Sequence, residues 1–512
     1  MILLLFQAQI LYFYHSFENR CRMKSKLEQH FNQFRKNIIG IDREFETPYG
    51  KKKMVYADWI ASGRLYGPVE EKILKTIGPF VGNTHTETTE TGTLMTKAYQ
   101  YAHKLIKKHV NANEDDVIIT TGFGMTAAVN KFQRILGLKS CCVYEDGKCR
   151  EKVDKPVVFV THMEHHSNHT SWLETYADVV LIPPDKNNLV DPDELRKLIV
   201  NYRNRKKKIG AFTACSNVTG IMPDYYELAA IMHENGGWAF VDFAGSAPYV
   251  DIDMHPEDPM KQLDAIFFSP HKFLGGPGSS GVLIFNKKLY KSAVPDHPGG
   301  GTVEWTNPWG GHQYIEDIEL REDGGTPGFL QAMRAAMAIE VKNKMNTRFM
   351  KQREEELVRQ ALNGFSRIKG LHILAGDVKN RLGILSFWFE HIHFNLIVKL
   401  LNDRYGIQVR GGCACAGTYG HFLLNVTPEK SKHITGLIKK GDLSEKPGFV
   451  RISLHPTMTG EELAFIINAV NEIGEKHEEW AKDYKYDPHN NEFYHKSESK
   501  DKTSRVVDWF VL

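Results

Sequence analysis

The chain has 512 residues, more than one ordinary domain needs and enough for two with sizeable cores. Its hydrophobic share of 42% and charged share of 25% are those of a globular protein and not of a disordered or membrane chain. A formal charge of +3, with Lys and Arg scattered among Asp and Glu, leaves no basic footprint for nucleic acid.

Met1 to Phe17 reads MILLLFQAQILYFYHSF, apolar but interrupted by Gln7, Gln9 and His15. It lacks the basic start and small-residue cleavage site of a signal peptide, and is shorter than a spanning helix requires. Residues 1–23 are therefore expected to be an extension outside the fold, with translation starting at Met23; a membrane anchor is the competing reading. Charged residues with Leu27, Phe31 and Phe34 at helical spacing predict an amphipathic helix over 24–37. Val55 to Asp58 reads as a short strand entering a loop, and Thr93 to Val110 as a helix.

Strands and helices then alternate. The runs 117–120, 157–160, 179–182, 209–213, 238–241, 265–268 and 281–285 are short, rich in β-formers and bounded by turn residues. Several are apolar throughout, as strands buried on both faces must be. Helical patterns at 127–136, 192–200 and 225–234 lie between them, which predicts an α/β fold with a mainly parallel sheet covered by helices. A helix over 329–348 leaves this unit. A second α/β unit follows, with helices over 358–368, 395–404 and 461–480 and strands over 384–387 and 450–453. The expected division is a helical segment 24–54 packing on the smaller unit, a large domain 55–330, a small domain 331–482 and a tail 483–512. The tail is read as loose, or as docking its apolar end on a partner subunit.

Seven cysteines, Cys21, Cys141, Cys142, Cys149, Cys215, Cys413 and Cys415, are an odd number at irregular spacing. They point away from a disulfide framework and toward a reducing, cytoplasmic setting.

Open α/β sheets bind ligands at the carboxyl ends of their strands. Ala265–Phe268 runs into Ser269-Pro270-His271-Lys272 and then glycines; these follow the lysine instead of preceding it, which argues against a Walker-type loop. The strand 239–241 ends in Asp242, an acid that is costly there unless paired; a protonated pyridine nitrogen would pair it, and an ordinary loop cap is the competing reading for this residue taken alone. The strand 158–160 leads into His162, His165, His166 and His169, whose spacing matches no zinc motif, so no metal is expected. A histidine stacked on an aromatic cofactor ring fits better. Gly122-Phe123-Gly124-Met125-Thr126 opens a helix after a strand, a place where backbone N–H groups bind phosphate.

The ordered set resembles the class V aminotransferases, fold type I, in their cysteine desulfurase group. Glu164-His165-His166-Ser167-Asn168 with Trp172 resembles EHHxN…W, and Ser216-Asn217-Val218-Thr219-Gly220 resembles SNVxG. Val241-Asp242-Phe243-Ala244 resembles VDGA, Ser269-Pro270-His271-Lys272 resembles SxHK, and Gly299-Gly300-Gly301 and Gly325-Thr326-Pro327 resemble the GGG and GTP of the subunit-crossing loop. The resemblance implies a large domain with a seven-stranded-type sheet, pyridoxal 5'-phosphate as cofactor and a Schiff base on Lys272. It implies His165 stacked on the ring, Asp242 on the pyridine nitrogen and Asn217 on the phenolic oxygen. Gly124, Met125, Thr126, Ser269 and His271 would hold the phosphate. Thr326 would reach the neighbour's phosphate, in a homodimer with shared sites.

Arg410-Gly411-Gly412-Cys413-Ala414-Cys415 resembles the RxGxxC loop of type II cysteine desulfurases, which puts the nucleophile at Cys415 and a carboxylate-binding arginine at Arg410, with Arg451 as the second. The implied reaction converts L-cysteine to L-alanine with a persulfide on Cys415, for delivery to a sulfur-acceptor protein. The chain departs from the group at Gly245, where Gln is usual, and at Asn83-Thr84-His85-Thr86, where NxHR is usual; Asn83 and His85 remain substrate-binding candidates. The Lys-rich segment 425–448 is expected to form an extra lid. The alternatives are an aminotransferase or amino-acid epimerase that does not use Cys415, and a catalytically silent dimeric scaffold; retention of Lys272 and Asp242 argues against the last.

Overall fold

A computed structural model describes residues 25–139, 155–498 and 503–512. The expectations for residues 1–23 and for Cys21, Cys141, Cys142 and Cys149 lie outside the described residues.

The apolar runs form one seven-stranded sheet: β1 (Asp116–Thr121), β2 (Val157–Thr161), β3 (Asp178–Ile182), β4 (Lys208–Thr213), β5 (Trp238–Asp242), β6 (Ala265–Phe268) and β7 (Gly281–Asn286). Their spatial order is β1-β7-β6-β5-β4-β2-β3. β7 runs antiparallel to both its neighbours, and the remaining pairs are parallel. β2, β4 and β6 are buried along their whole length, which is why these segments carry no polar alternation. On one face the helix Met125–Ile135 packs Phe132 against Phe240, with ring centroids 5.0 Å apart. On the other, helices Glu90–His109 and Phe329–Met345 bring Tyr99, Ile106, Ala332 and Ile339 against Ile266 and Phe268. Each large side chain buried this way contributes about 1.5–3 kcal/mol. This packing aims the carboxyl ends of β1, β2, β4, β5 and β6 at one edge of the sheet, so their following loops meet there.

The second unit has an antiparallel sheet of β8 (Leu371–Ile373), β9 (Ile384–Phe389), β10 (Arg410–Gly412) and β11 (Phe449–Ser453), in the order β8-β9-β11-β10. Helices Thr347–Phe365, Phe394–Tyr405 and Gly460–Trp480 share its core through Leu357, Ile397 and Ile466. The N-terminal helix Lys26–Arg35 packs on this unit. There Arg353 donates to Glu28 Oε2 and to the Met458 carbonyl, both at 2.9 Å, and Arg35 forms an ion pair with Glu462 at 2.6 Å. Val55–Tyr56 pairs in parallel with Ile407–Gln408, so the chain just before Asp58 is tied to the second unit.

Two elements differ from expectation. The helix read over 329–348 ends at Met345, because Asn346 takes φ +69° and its side chain accepts the Arg348 and Phe349 N–H groups. That cap starts the next helix at Thr347, eleven residues before the expected 358. Hydrophobic periodicity continues across the break, so pattern alone does not reveal it. The tail beyond 483 contains a hairpin, Tyr484–Asp487 with Glu492–His495, anchored by Tyr484 Oη donating to the buried Asp403 at 3.0 Å.

Candidate functional site

The five strand ends and the Cys415 loop enclose a cavity of about 600 Å³. Its lining includes Gly124, Met125, Thr126, His165, Asn217, Asp242, Ser269, His271, Lys272, Arg410, Cys415 and Arg451. The structure thus gathers twelve sequence-predicted residues, from 124 to 451, around one space. Asn83, His85 and Thr326 do not line it. They lie together elsewhere, with Thr326 Oγ1 donating to Asn83 Oδ1 at 3.3 Å and His85 beside Gly301.

Burial pushes the Lys272 ammonium down to about 8, with Arg451 and Arg410 adding to the shift and Asp242 opposing it. Asp242 is pushed up to about 6 by burial, against the Ala244 N–H that donates to its Oδ1 at 2.8 Å. His165 caps the helix His166–Leu173 through Nδ1, which accepts the Ser167 N–H at 3.1 Å, so the ring is neutral. Burial, then the Lys272 charge, holds its pKa near 3.

Beneath His165, Glu164 is fully enclosed. It accepts from Thr161 Oγ1 at 2.7 Å, from the Thr213 N–H at 2.8 Å and from Asn168 Nδ2 at 2.8 Å, and Asn168 Oδ1 accepts from Trp172 Nε1. Burial still raises its pKa to about 8. Glu164 thereby ties the ends of β2 and β4 together and fixes the direction in which His165 leaves the sheet. That accounts for the EHHxN…W pattern as one hydrogen-bonded unit.

The helix Met125–Ile135 starts without a side-chain cap. Met125 N–H donates to Ser269 Oγ at 2.9 Å, and Thr126 Oγ1 lies 2.6 Å from Ser167 Oγ. A Cβ on Gly124 would stand 3.0 Å from Ser269 Oγ, so glycine keeps this corner open. These residues fit pyridoxal phosphate. A helix start whose N-cap, Gly124, has no side chain, with the Ser269 and Thr126 hydroxyls beside it, suits a phosphate. A buried carboxyl with one N–H partner suits a pyridinium, a desolvated amine suits an aldehyde, and Asn217 Oδ1 is buried without a partner.

At the rim, Arg451 is buried and donates to the Asn217 carbonyl at 3.1 Å and to Asp58 Oδ1 at 2.8 Å. Arg410, half exposed, donates to Asp58 Oδ2 at 3.2 Å. Asp58 is therefore shared by both arginines, a role that sequence reading missed; its one signal was an acid at the end of Val55-Tyr56-Ala57. Cys215 is another omission. It lines the cavity, fully buried, and burial pushes its thiol up, away from thiolate chemistry. Gly245 leaves the place of the usual glutamine empty, and a Cβ there would sit 3.0 Å from the Cys215 carbonyl.

Cys415 is exposed at the mouth of the cavity, and Cys413 is half-buried. Ala414 and Cys415 take φ +50° and +56°, a left-handed pair without glycine that costs ~1–2 kcal/mol per residue. Asn217 Nδ2 donates to the Ala414 carbonyl at 2.6 Å, and the His166 N–H donates to the Cys415 carbonyl at 2.7 Å. The segment 425–448 beside this loop contains the helix Pro428–Ile438. Among the described residues no helix is long and apolar enough to cross a membrane, and no group of three or more His, Cys, Asp or Glu side chains could hold a metal.

The chain is similar to known proteins over most of its length. The family model described as aminotransferase class-V matches residues 55–465. A probable cysteine desulfurase of Halalkalibacterium halodurans is 28% identical over 71% of this chain and 84% of its own. Another, of Staphylococcus epidermidis, is 29% identical over 72% and 85%. Among solved structures, a cysteine desulfurase of Thermococcus onnurineus superposes with a TM-score of 0.66 at 22% identity, over 82% of this chain and 95% of its own. An Escherichia coli cysteine desulfurase gives 0.66 at 23%, over 87% and 98%. The shared fold, the fitted cavity and the matched span agree: the chain belongs to the class V aminotransferase family and is a pyridoxal-phosphate-dependent enzyme.

Proposed function

We propose that the enzyme is a cysteine desulfurase, taking sulfur from L-cysteine and releasing L-alanine. The observation that carries this reading is the opening of Cys415 into the cavity that holds Lys272, Arg410 and Arg451. The names of the bacterial relatives agree with it.

The two guanidinium groups would bind the substrate carboxylate by charge-assisted hydrogen bonds, with Asp58 keeping them close together. His165 would cover one face of the cofactor ring, Asp242 would hold its pyridine N–H, and the Met125 helix start with Thr126 its phosphate. When bound, pyridoxal phosphate supplies a sink for the electron pair left at the substrate Cα. Lys272 Nζ, its pKa lowered to about 8, is suited to take the Cα proton and return it. Cys415 Sγ, as thiolate, attacks the substrate sulfur. The S–S bond forms, the substrate Cβ–S bond breaks, and its electron pair stays on carbon, where a proton completes the methyl group of alanine. The sulfur remains as a persulfide on Cys415 for an acceptor protein or a reducing thiol.

The same reading includes a homodimer, in which Thr326 and its neighbours Asn83 and His85 complete the partner's site, and a reducing cytoplasm that keeps Cys415 free. It includes the division into a cofactor domain and a small domain carrying the nucleophile; the boundary expected at 330/331 moves to the end of the helix Phe329–Met345, because Ala332 and Ile339 pack on the large sheet. The test is alanine and sulfide measured together from L-cysteine and a thiol reductant. Equal amounts of both, lost in Cys415→Ala, support the reading; full turnover in that variant overturns it.

A further inference from the structure

The second histidine of the Glu164–Asn168 run has no part in the chemistry above, yet it touches the Cys415 loop at two points. The His166 N–H donates to the Cys415 carbonyl at 2.7 Å, and His166 Nε2 accepts the Gly417 N–H at 2.9 Å. One residue thus brackets the turn from Cys415 to Gly417. His169 Nδ1 lies 3.2 Å from Thr418 Oγ1, and Asn217 holds Ala414 from the opposite side. The segment so held contains two consecutive left-handed residues, a conformation that persists only where the surroundings impose it.

We propose that His166 is a positioning residue for Cys415: its neutral ring holds the Cys415 loop in reach of the cavity, and protonation of that ring releases the loop. A backbone N–H only donates, so His166 Nε2 must carry a lone pair and the ring proton sits on Nδ1. Protonation places a second donor opposite the Gly417 N–H and removes that bond. The titratable and charged groups facing the ring are His165, the cap of its helix, His169 from the same helix and Lys446 from the segment before β11; His421, from the helix after the loop, meets the Gly417 carbonyl. Burial, then the Lys446 charge, lowers the His166 pKa, so release falls on the acid side of the ordinary histidine range. The loop geometry stands by itself. Only its consequence for sulfur transfer rests on the desulfurase reading.

The test is hydrogen exchange of the Gly417 amide in the holoenzyme, with sulfide release measured alongside. His166→Gln keeps an acceptor that does not titrate, and His166→Leu removes it. Relative to the Gln variant at the same pH, wild-type exchange should rise about fivefold as the pH falls from about 8 through the acid side of the ordinary histidine range, the equivalent of one net hydrogen bond. His166→Leu should exchange about fivefold faster than wild type at about pH 8 and lose kcat by a similar factor with KM unchanged, whereas Gln restores kcat and flattens the acid limb. Exchange in wild type that tracks the Gln variant at every pH overturns the proposal, and so does a Leu variant that exchanges like wild type. Should the Leu variant fail to bind cofactor, the comparison of Gln with wild type decides alone. Exchange as expected without alanine and sulfide from any form leaves the clamp standing and sinks the desulfurase reading instead.

Discussion

The floor and the rim of the cavity are built differently. The floor consists of strand ends from a sheet buried on both faces. Asp242 sits there with a raised and Lys272 with a depressed affinity for protons, because water has been excluded. The rim comes from the second unit and from the Asp58 loop. It carries an exposed cysteine, a half-exposed arginine and a left-handed turn held by side chains. A rigid floor keeps a cofactor in one orientation, while a rim held by a few hydrogen bonds can open for a substrate or an acceptor. Of the positions at which this chain departs from its group, Gly245 lines the cavity, whereas Asn83 and His85 do not.

Breaking the floor should have the largest effect. Lys272→Ala is expected to lose turnover by more than about 10⁴-fold and to abolish the visible absorbance of bound cofactor. Breaking the rim should separate the two: Cys415→Ala is expected to lose sulfide release by about 10³-fold while that absorbance stays unchanged. A spectrum altered as strongly as in Lys272→Ala would mean that floor and rim are one unit. Between them stands Asp58. Asp58→Asn removes the charge shared by Arg410 and the buried Arg451, and should cost on the order of 2–3 kcal/mol in unfolding free energy and raise KM for cysteine about tenfold. Unchanged values for both would make that bridge incidental.

A smaller effect probes the cost of the floor itself. Asp242 has its folded pKa raised to about 6, so the native apo chain holds that proton more tightly than the unfolded chain does. Its stability therefore falls as pH rises from about 4 to about 6, and Asp242→Asn escapes the loss. Apo Asp242→Asn should be more stable than wild type above pH 6, on the order of 3 kcal/mol, and equal to it below about pH 4. Chemical denaturation across pH measures the difference; a constant offset would show that burial of Asp242 carries no such cost. The smallest change expected is Thr126→Val, which removes one hydroxyl from the helix start and should weaken cofactor affinity about fivefold without altering its spectrum.

Much of the floor was legible in the sequence. Apolar runs ending in Asp242, Lys272 and the 162–169 histidines mark buried strands whose loops share one edge, because parallel strands must all end on the same side. The rim was legible only in part. Arg410, Cys415 and Arg451 could be picked out by the motif they resemble, but Asp58 lies more than 350 positions from Arg410 and nothing local signals the pairing. The break at Asn346 escaped for the opposite reason: it is a local event, a side-chain cap inside an unbroken hydrophobic pattern.

By itself, then, the sequence determined the architecture of the large sheet and the identity of the groups at its edge. Burial patterns and turn residues are written in consecutive positions. Only the tertiary structure decided which groups meet across the cavity: Asp58 with two arginines, Asn217 with Ala414, and His166 with the Cys415 carbonyl and the Gly417 N–H. Those contacts depend on how the second unit seats against the first, and that is a property of two packed surfaces, with no counterpart in the spacing of residues along the chain.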